Sequence, residues 1–156
     1  LACAIYAVEV TRVKMRHHVG GHMLQREELQ KMNVCRFCAR SGQCRSSTKV
    51  PTKRNQVGTV LSDCRYAPRA DMRGEEVHLC LSSAKVASRS TPCTNLPILC
   101  NFCVQPQYIW KYGMDDHVAV EHADKCALLQ SDDEAKAFVN EYTVSGAEKQ
   151  LVLAAF

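Results

Sequence analysis

Residues 100–122 constrain this chain more than any other stretch. They read C-x2-C-x13-H-x4-H, with Cys100, Cys103, His117 and His122 at the fixed places. Zinc prefers four soft or borderline ligands in a tetrahedron. A C-x2-C turn sets two thiolates on one side of the ion, and two histidines about one helical turn apart close the other. Tyr108 and Met114 fall on the apolar positions that pack inside such a finger, and Trp110 adds bulk beside them. Scattered buried cysteines would not bring the ligands and the packing residues together in this way.

An earlier constellation runs in the opposite order. His18 and His22 are followed after twelve residues by Cys35 and Cys38. Positions i and i+4 share one face of a helix, so the two histidines can hold one ion that the C-x2-C pair completes. His17 falls on the wrong face for that role. Cys44, Cys64 and Cys93 remain, either as a third zinc site with His78 or Cys80 as fourth ligand or as three buried thiols. Cys3 and Cys126 stand in apolar, helix-like settings and read as core.

Ten cysteines in 156 residues would suit a disulfide framework in a secreted protein. The opening "LACAIYAVEV" has no basic leader, is interrupted by Glu9 and lacks a cleavage site. No apolar run approaches the ~20 residues that span a bilayer. Histidines at ligand spacing beside C-x2-C pairs favour metal over disulfide, and therefore a reducing compartment. Leu1 at the start and the apolar "LVLAAF" at the end suggest a segment of a longer protein.

The net charge of +4 matters less than its distribution. No acidic residue lies between Leu29 and Ser62, where Lys31, Arg36, Arg40, Arg45, Lys49, Lys53 and Arg54 supply positive charge. From Asp115 to Glu148 carboxylates dominate over Lys125 and Lys136. The front half can therefore meet phosphates, and the tail repels them.

The pattern predicts a small α+β fold, zinc-stabilised and loop-rich. An N-terminal helix over 4–24 would present Ile5, Val8, Met15 and Val19, weakened near its end by Gly20 and Gly21. "VGTVLSDC" reads as a short strand entering a turn. The capping boxes Ser131/Glu134 and Ser145/Glu148 start two C-terminal helices, the first with an apolar face of Ala135, Phe138, Val139 and Tyr142. The division is a first zinc module over 1–64, a linker or hairpin over 65–93, a finger over 94–124 and packing helices over 125–156.

"HVGGHML", "VCRFCARSGQC", "PCTNLP", "CNFC" and "IWKYGMDDH", in that order, resemble uncharacterised zinc-finger proteins abundant in mushroom-forming fungi. The resemblance covers residues 17–122. It implies metal-binding roles for His18, His22, Cys35, Cys38, Cys100, Cys103 and His117, and recurrent cysteines at Cys44, Cys64 and Cys93. Gly113 and Arg65 depart from the family pattern, which has Asn and Pro there. The family carries architecture and no established activity.

Catalysis has the least support. A zinc deaminase needs H-x-E before P-C-x2-C, and His78 is followed by Leu79 and Cys80. A nuclease reading of "DDHVA" finds no histidine after His122. Redox use of Cys35 and Cys38 leaves His18 and His22 unexplained. The sequence reads as a non-enzymatic, nuclear zinc module without membrane or small-molecule partner. It would bind nucleic acid through Arg36, Arg40, Arg45, Lys49, Lys53 and Arg54 with little sequence specificity. The alternative is a structural module for protein–protein contact in a larger regulatory or mobile-element protein. The finger itself is a poor reader, because its base-contact positions fall on Trp110, Gly113 and Asp116.

Overall fold

A computed structural model describes residues 2–25, 29, 34–49, 59–67, 84–125 and 132–155. Lys53, Arg54, His78, Cys80, Cys126 and Ser131, and most of the expected linker or hairpin, lie outside the described residues. In chain order the elements are helix α1 (Arg12–Gln25), strands β1 (Ser46–Lys49), β2 (Thr59–Ser62), β3 (Pro97–Cys100) and β4 (Gln107–Trp110), and helices α2 (Met114–Glu121), α3 (Asp133–Tyr142) and α4 (Gly146–Ala154). Short 3-10 turns at Lys111–Gly113 and Ala123–Lys125 flank α2. The fold is small α+β, with two antiparallel hairpins, β1–β2 and β3–β4. No helix among the described residues is long and apolar enough to cross a membrane.

The N-terminal helix starts later than the apolar pattern predicted. Residues 2–9 form a tight turn instead, in which the Cys3 amide donates to Val8 O at 2.8 Å and the Ala7 amide to Cys3 O at 3.0 Å. Ala7 adopts a positive φ of 56°, which no helix accommodates. From Arg12 the helix runs straight through Gly20 and Gly21, burying Met15, Val19 and Met23. Gly20 is there for proximity: a Cβ at that position would stand 2.6 Å from Cys93 Sγ. A side chain would push α1 away from the "PCTNLP" segment.

At the other end, α3 buries Ala135, Phe138 and Tyr142, with Val139 half-buried beside them, as its sequence pattern indicates. Its N-cap is Asp132, whose side chain accepts from the Glu134 amide at 3.2 Å, one residue after the serine the capping pattern pointed to. α4 begins on Ser145, which accepts from the Glu148 amide at 3.1 Å. α4 also packs against α1, so the two ends of the described chain meet. Buried side chains from α1, both hairpins, α2, α3 and α4 form a single cluster.

A buried polar knot ties these elements together. The Glu148 carboxylate accepts from Tyr112 Oη at 2.6 Å, from Lys111 Nζ at 2.8 Å, from the Thr94 amide at 3.1 Å and from the Thr94 hydroxyl. Lys111 Nζ also donates to Thr94 Oγ1 at 2.6 Å. Asn95 extends the knot, its Oδ1 accepting from the Tyr112 amide at 3.1 Å and its carbonyl from Arg16 at 3.0 Å. Burial alone would raise the Glu148 carboxyl, but hydrogen bonds from Lys111, Thr94 and Tyr112 and the lysine charge outweigh it and hold the pKa below the ordinary value.

Candidate metal centres

Among the described residues, three groups of cysteine and histidine side chains have their ligand atoms within 4.8 Å of one another: Cys35, Cys38, Cys44 and Cys64; Cys100, Cys103, His117 and His122; and Cys3, His18 and His22. They are compatible with a zinc-binding module.

The finger assembles as its spacing indicates. β3 and β4 pair with Cys100 opposite Gln107 and Pro97 opposite Trp110, so the C-x2-C turn sits at the connected end of the hairpin, from which β4 runs on toward α2. His117 projects from α2. His122 is five residues on, which a continuous helix at 3.6 residues per turn would rotate ~140° off that face. The helix ends at Glu121 instead, and His122 takes the non-helical φ −135°, ψ 35°. That break returns its ring to the cysteines. Cys103 Sγ lies 3.3 Å from His117 Nε2 and 3.3 Å from His122 Nε2, and Cys100 Sγ 3.6 Å from His122 Nε2. Sulfur at ~2.3 Å and nitrogen at ~2.0–2.1 Å from a tetrahedral zinc stand ~3.5 Å apart. Burial and the neighbouring His122 lower the His117 pKa, which keeps the imidazole neutral, the form that binds metal. Met114 is fully buried behind the site, and Tyr108 is half-buried.

The second group departs from the expected pairing. Cys35 and Cys38 gather with Cys44 and Cys64, whereas His18 and His22 gather with Cys3. The reason lies in the β1–β2 hairpin. Ser46 pairs with Ser62, and the Asp63 amide continues the ladder to Arg45 O at 3.2 Å. One step further out, Cys44 faces Cys64 at the hairpin's open end. Asp63 locks that end, its carboxylate accepting from the Arg45 amide at 2.7 Å. The turn holding Cys35 and Cys38 supplies the other two thiols. In it the Cys35 amide donates to Arg40 O at 2.9 Å, the Ala39 amide donates to Cys35 O at 2.8 Å, and Ala39 has a φ of 59°.

Cys38 Sγ and Cys44 Sγ are 3.7 Å apart, against ~3.8 Å between two sulfurs on a tetrahedral zinc. Hydrogen bonding with Cys35 and then Cys64 draws Cys38 down to about 2, while its bond with Cys38 pushes Cys35 up. Burial, followed by hydrogen bonding to Cys64, raises Cys44 to about 12. Four thiols in mutual contact are a donor set that would suit a borderline dication, which binds them as thiolates.

Cys93 belongs to none of the three groups. Its Sγ abuts Gly20, and its amide donates to His17 Nδ1 at 3.4 Å. His17 accepts as a neutral ring, its pKa lowered to about 4 by burial and by Arg16. Cys3, expected in the core as a bystander, is buried but stands 3.1 Å from His22 Nε2.

The basic residues divide. Arg36 turns inward, donating to Leu29 O at 3.1 Å and to Met23 Sδ at 3.4 Å. Arg40 lies over the Tyr66 ring, 5.8 Å from its centroid, and Arg65 over the same ring at 4.9 Å. Arg45 is exposed at the base of the β1–β2 hairpin, and Lys49 ends β1. Around α2, Asp115 and Asp116 line a cleft of about 380 Å³ with Thr143, Val144 and Lys149. Comparisons with protein-family models, curated proteins and solved structures return no match, so the fungal resemblance rests on its motifs.

Proposed function

We propose that the chain is a non-enzymatic, zinc-folded binding module in which the two four-ligand groups hold structural zinc. The observation that carries this reading is the separation of the ligand atoms, 3.3–3.6 Å for sulfur to nitrogen and 3.7 Å for sulfur to sulfur, close to the edges of a zinc tetrahedron. Four protein ligands leave such an ion no position for a substrate. Structural zinc in small fingers contributes ~10–16 kcal/mol of apparent free energy, comparable to the whole stability of a small domain. Elemental analysis of the purified chain tests the reading. At least two zinc ions per chain are expected, with loss of helical signal when a strong chelator removes them; fewer than two ions would contradict it.

The partner we favour is nucleic acid, bound through phosphates with little sequence preference, in a nuclear protein. Arg45, Lys49, Lys53 and Arg54 support this reading, since the β1–β2 hairpin that carries the first two exposes Arg45, Ser46 and Ser47 and the segment lacks carboxylates. Arg36 and Arg40 are already engaged within the chain and matter less. Base reading by the finger is disfavoured, because Trp110 packs on Phe37 and Asp116 lines the cleft toward the C-terminal helices. Reversing Arg45 and Lys49 should weaken binding to arbitrary duplexes and flatten its salt dependence, while unchanged affinity and slope would exclude the hairpin. A protein partner is the second reading, drawing on Val104 and Val120, which the finger leaves exposed.

A further inference from the structure

Two turns in this chain have the same backbone. In residues 34–41, Cys35 N–H donates to Arg40 O, Ala39 N–H donates to Cys35 O, Ala39 has a φ of 59°, and Val34 bridges Ser41. In residues 2–9, Cys3 N–H donates to Val8 O, Ala7 N–H donates to Cys3 O, Ala7 has a φ of 56°, and Ala2 bridges Glu9. The sequences "ACAIYAVE" and "VCRFCARS" therefore align position for position. Cys3 matches Cys35, and Tyr6 stands where the second turn carries Cys38.

The second turn presents its cysteines to a candidate ion, and the first presents Cys3 to His18 and His22. All three of those side chains are buried, at 3%, 5% and 0% exposure. The Ile5 amide donates to Cys3 Sγ at 3.4 Å and fixes the direction in which the sulfur is held. Tyr6 meets the His22 ring edge-on, 4.7 Å between centroids.

We propose that Cys3, His18 and His22 form a third metal site, for zinc or another borderline divalent ion, that keeps one exchangeable coordination position because Tyr6 replaces the second cysteine of the turn. One thiolate and two neutral imidazoles leave the bound dication a net charge of +1. Four thiolates leave −2, and the finger set leaves none. The third site therefore takes an anion or an acidified water as fourth ligand, beside Tyr6. It would be the position at which this otherwise closed set of ions meets an exogenous ligand, and the ion would clip the N-terminal turn to α1.

The test uses the full chain, loaded with zinc and then challenged with chelators of rising strength while bound zinc is counted. The wild type should hold three ions and give up one alone to a mild chelator. Cys3→Ala should hold two from the outset. Tyr6→Cys, which restores the second thiolate, should retain its third ion until the others leave. In cobalt-substituted protein, thiocyanate should shift the visible absorption of the wild type and leave Tyr6→Cys unchanged. Two ions in both wild type and Cys3→Ala would overturn the third site while leaving the two structural sites standing. Three ions released together from the wild type, or a spectrum indifferent to thiocyanate, would overturn the exchangeable position. Fewer than two ions in the wild type would instead contradict the structural reading beneath it.

Discussion

Phe37 meets Trp110 edge-to-face, ring centroids 5.7 Å apart and planes at 87°. One ring comes from the Cys35–Cys38 turn and the other from the last residue of β4, so the contact is a joint between the four-cysteine cluster and the finger. Trp110→Ala should lower stability by about 2–3 kcal/mol, less than for a fully buried tryptophan because its ring is half-buried. Phe37→Ala should cost more, about 3–5 kcal/mol, because its ring is fully buried, and the double variant should cost less than the sum. Chemical denaturation of the zinc-loaded protein checks both; strict additivity would mean that the rings do not couple.

Glu148 and Lys111 form a buried ion pair at 2.8 Å. Glu148→Gln leaves the lysine charge buried without its counterion and should cost about 3 kcal/mol at neutral pH. The Glu148 pKa is depressed in the folded state, so its contribution is complete above its unfolded value and fades as pH falls through the folded one. The stability gap between wild type and Glu148→Gln should therefore be constant near neutrality and shrink only on the acid side of ordinary glutamate titration. Comparing the two proteins at each pH cancels the acid sensitivity of the metal sites. A gap that widened on acidification would refute the assignment.

Gly20→Ala sets two effects against each other. Alanine gains ~1 kcal/mol of helix propensity over glycine, but its Cβ would meet Cys93 Sγ at 2.6 Å and Cys93 Cβ at 3.3 Å. Overpacking of a close core costs typically ~1–3 kcal/mol, and Cys93 has little room to yield beside Tyr112. Net destabilisation is expected. Combining Gly20→Ala with Cys93→Ala should recover most of it, since the new methyl fills the space the sulfur leaves. Thermal melts of the two single variants and the double variant decide the matter, and no recovery would place the strain elsewhere.

These relationships differ in how far they could be read from sequence. The finger was legible because all its ligands lie within one local stretch, and the α3 face was legible because its apolar residues follow a helical period. The partners of Cys35 and Cys38 were not, since Cys44 and Cys64 meet only through the register of the β1–β2 hairpin. His18 and His22 were rightly seen as sharing one helix face, yet their partner precedes the helix. Apolar residues such as Ile5 and Val8 mimicked a helical pattern and hid the turn that carries Cys3. The repeated C-x3-A at Cys3–Ala7 and Cys35–Ala39 was the available signal. The knot around Glu148 left only a capping-box trace, because its hydrogen-bond partners come from distant segments. The serine cap at Ser145 was correct, but the Glu148 side chain turns inward to Lys111, Tyr112 and Thr94.

On the proposed reading, Cys35, Cys38, Cys44 and Cys64 bind one ion together while Cys100, Cys103, His117 and His122 bind another. Cadmium-113 NMR of cadmium-substituted protein tests it most directly, because the chemical shift follows the number of sulfur ligands. One resonance in the all-sulfur range and one in the range for two sulfurs and two nitrogens are expected, whatever the site at Cys3 adds. Two resonances of the mixed type and none from an all-sulfur site would contradict it, as that is the pattern given by His18 and His22 sharing an ion with Cys35 and Cys38.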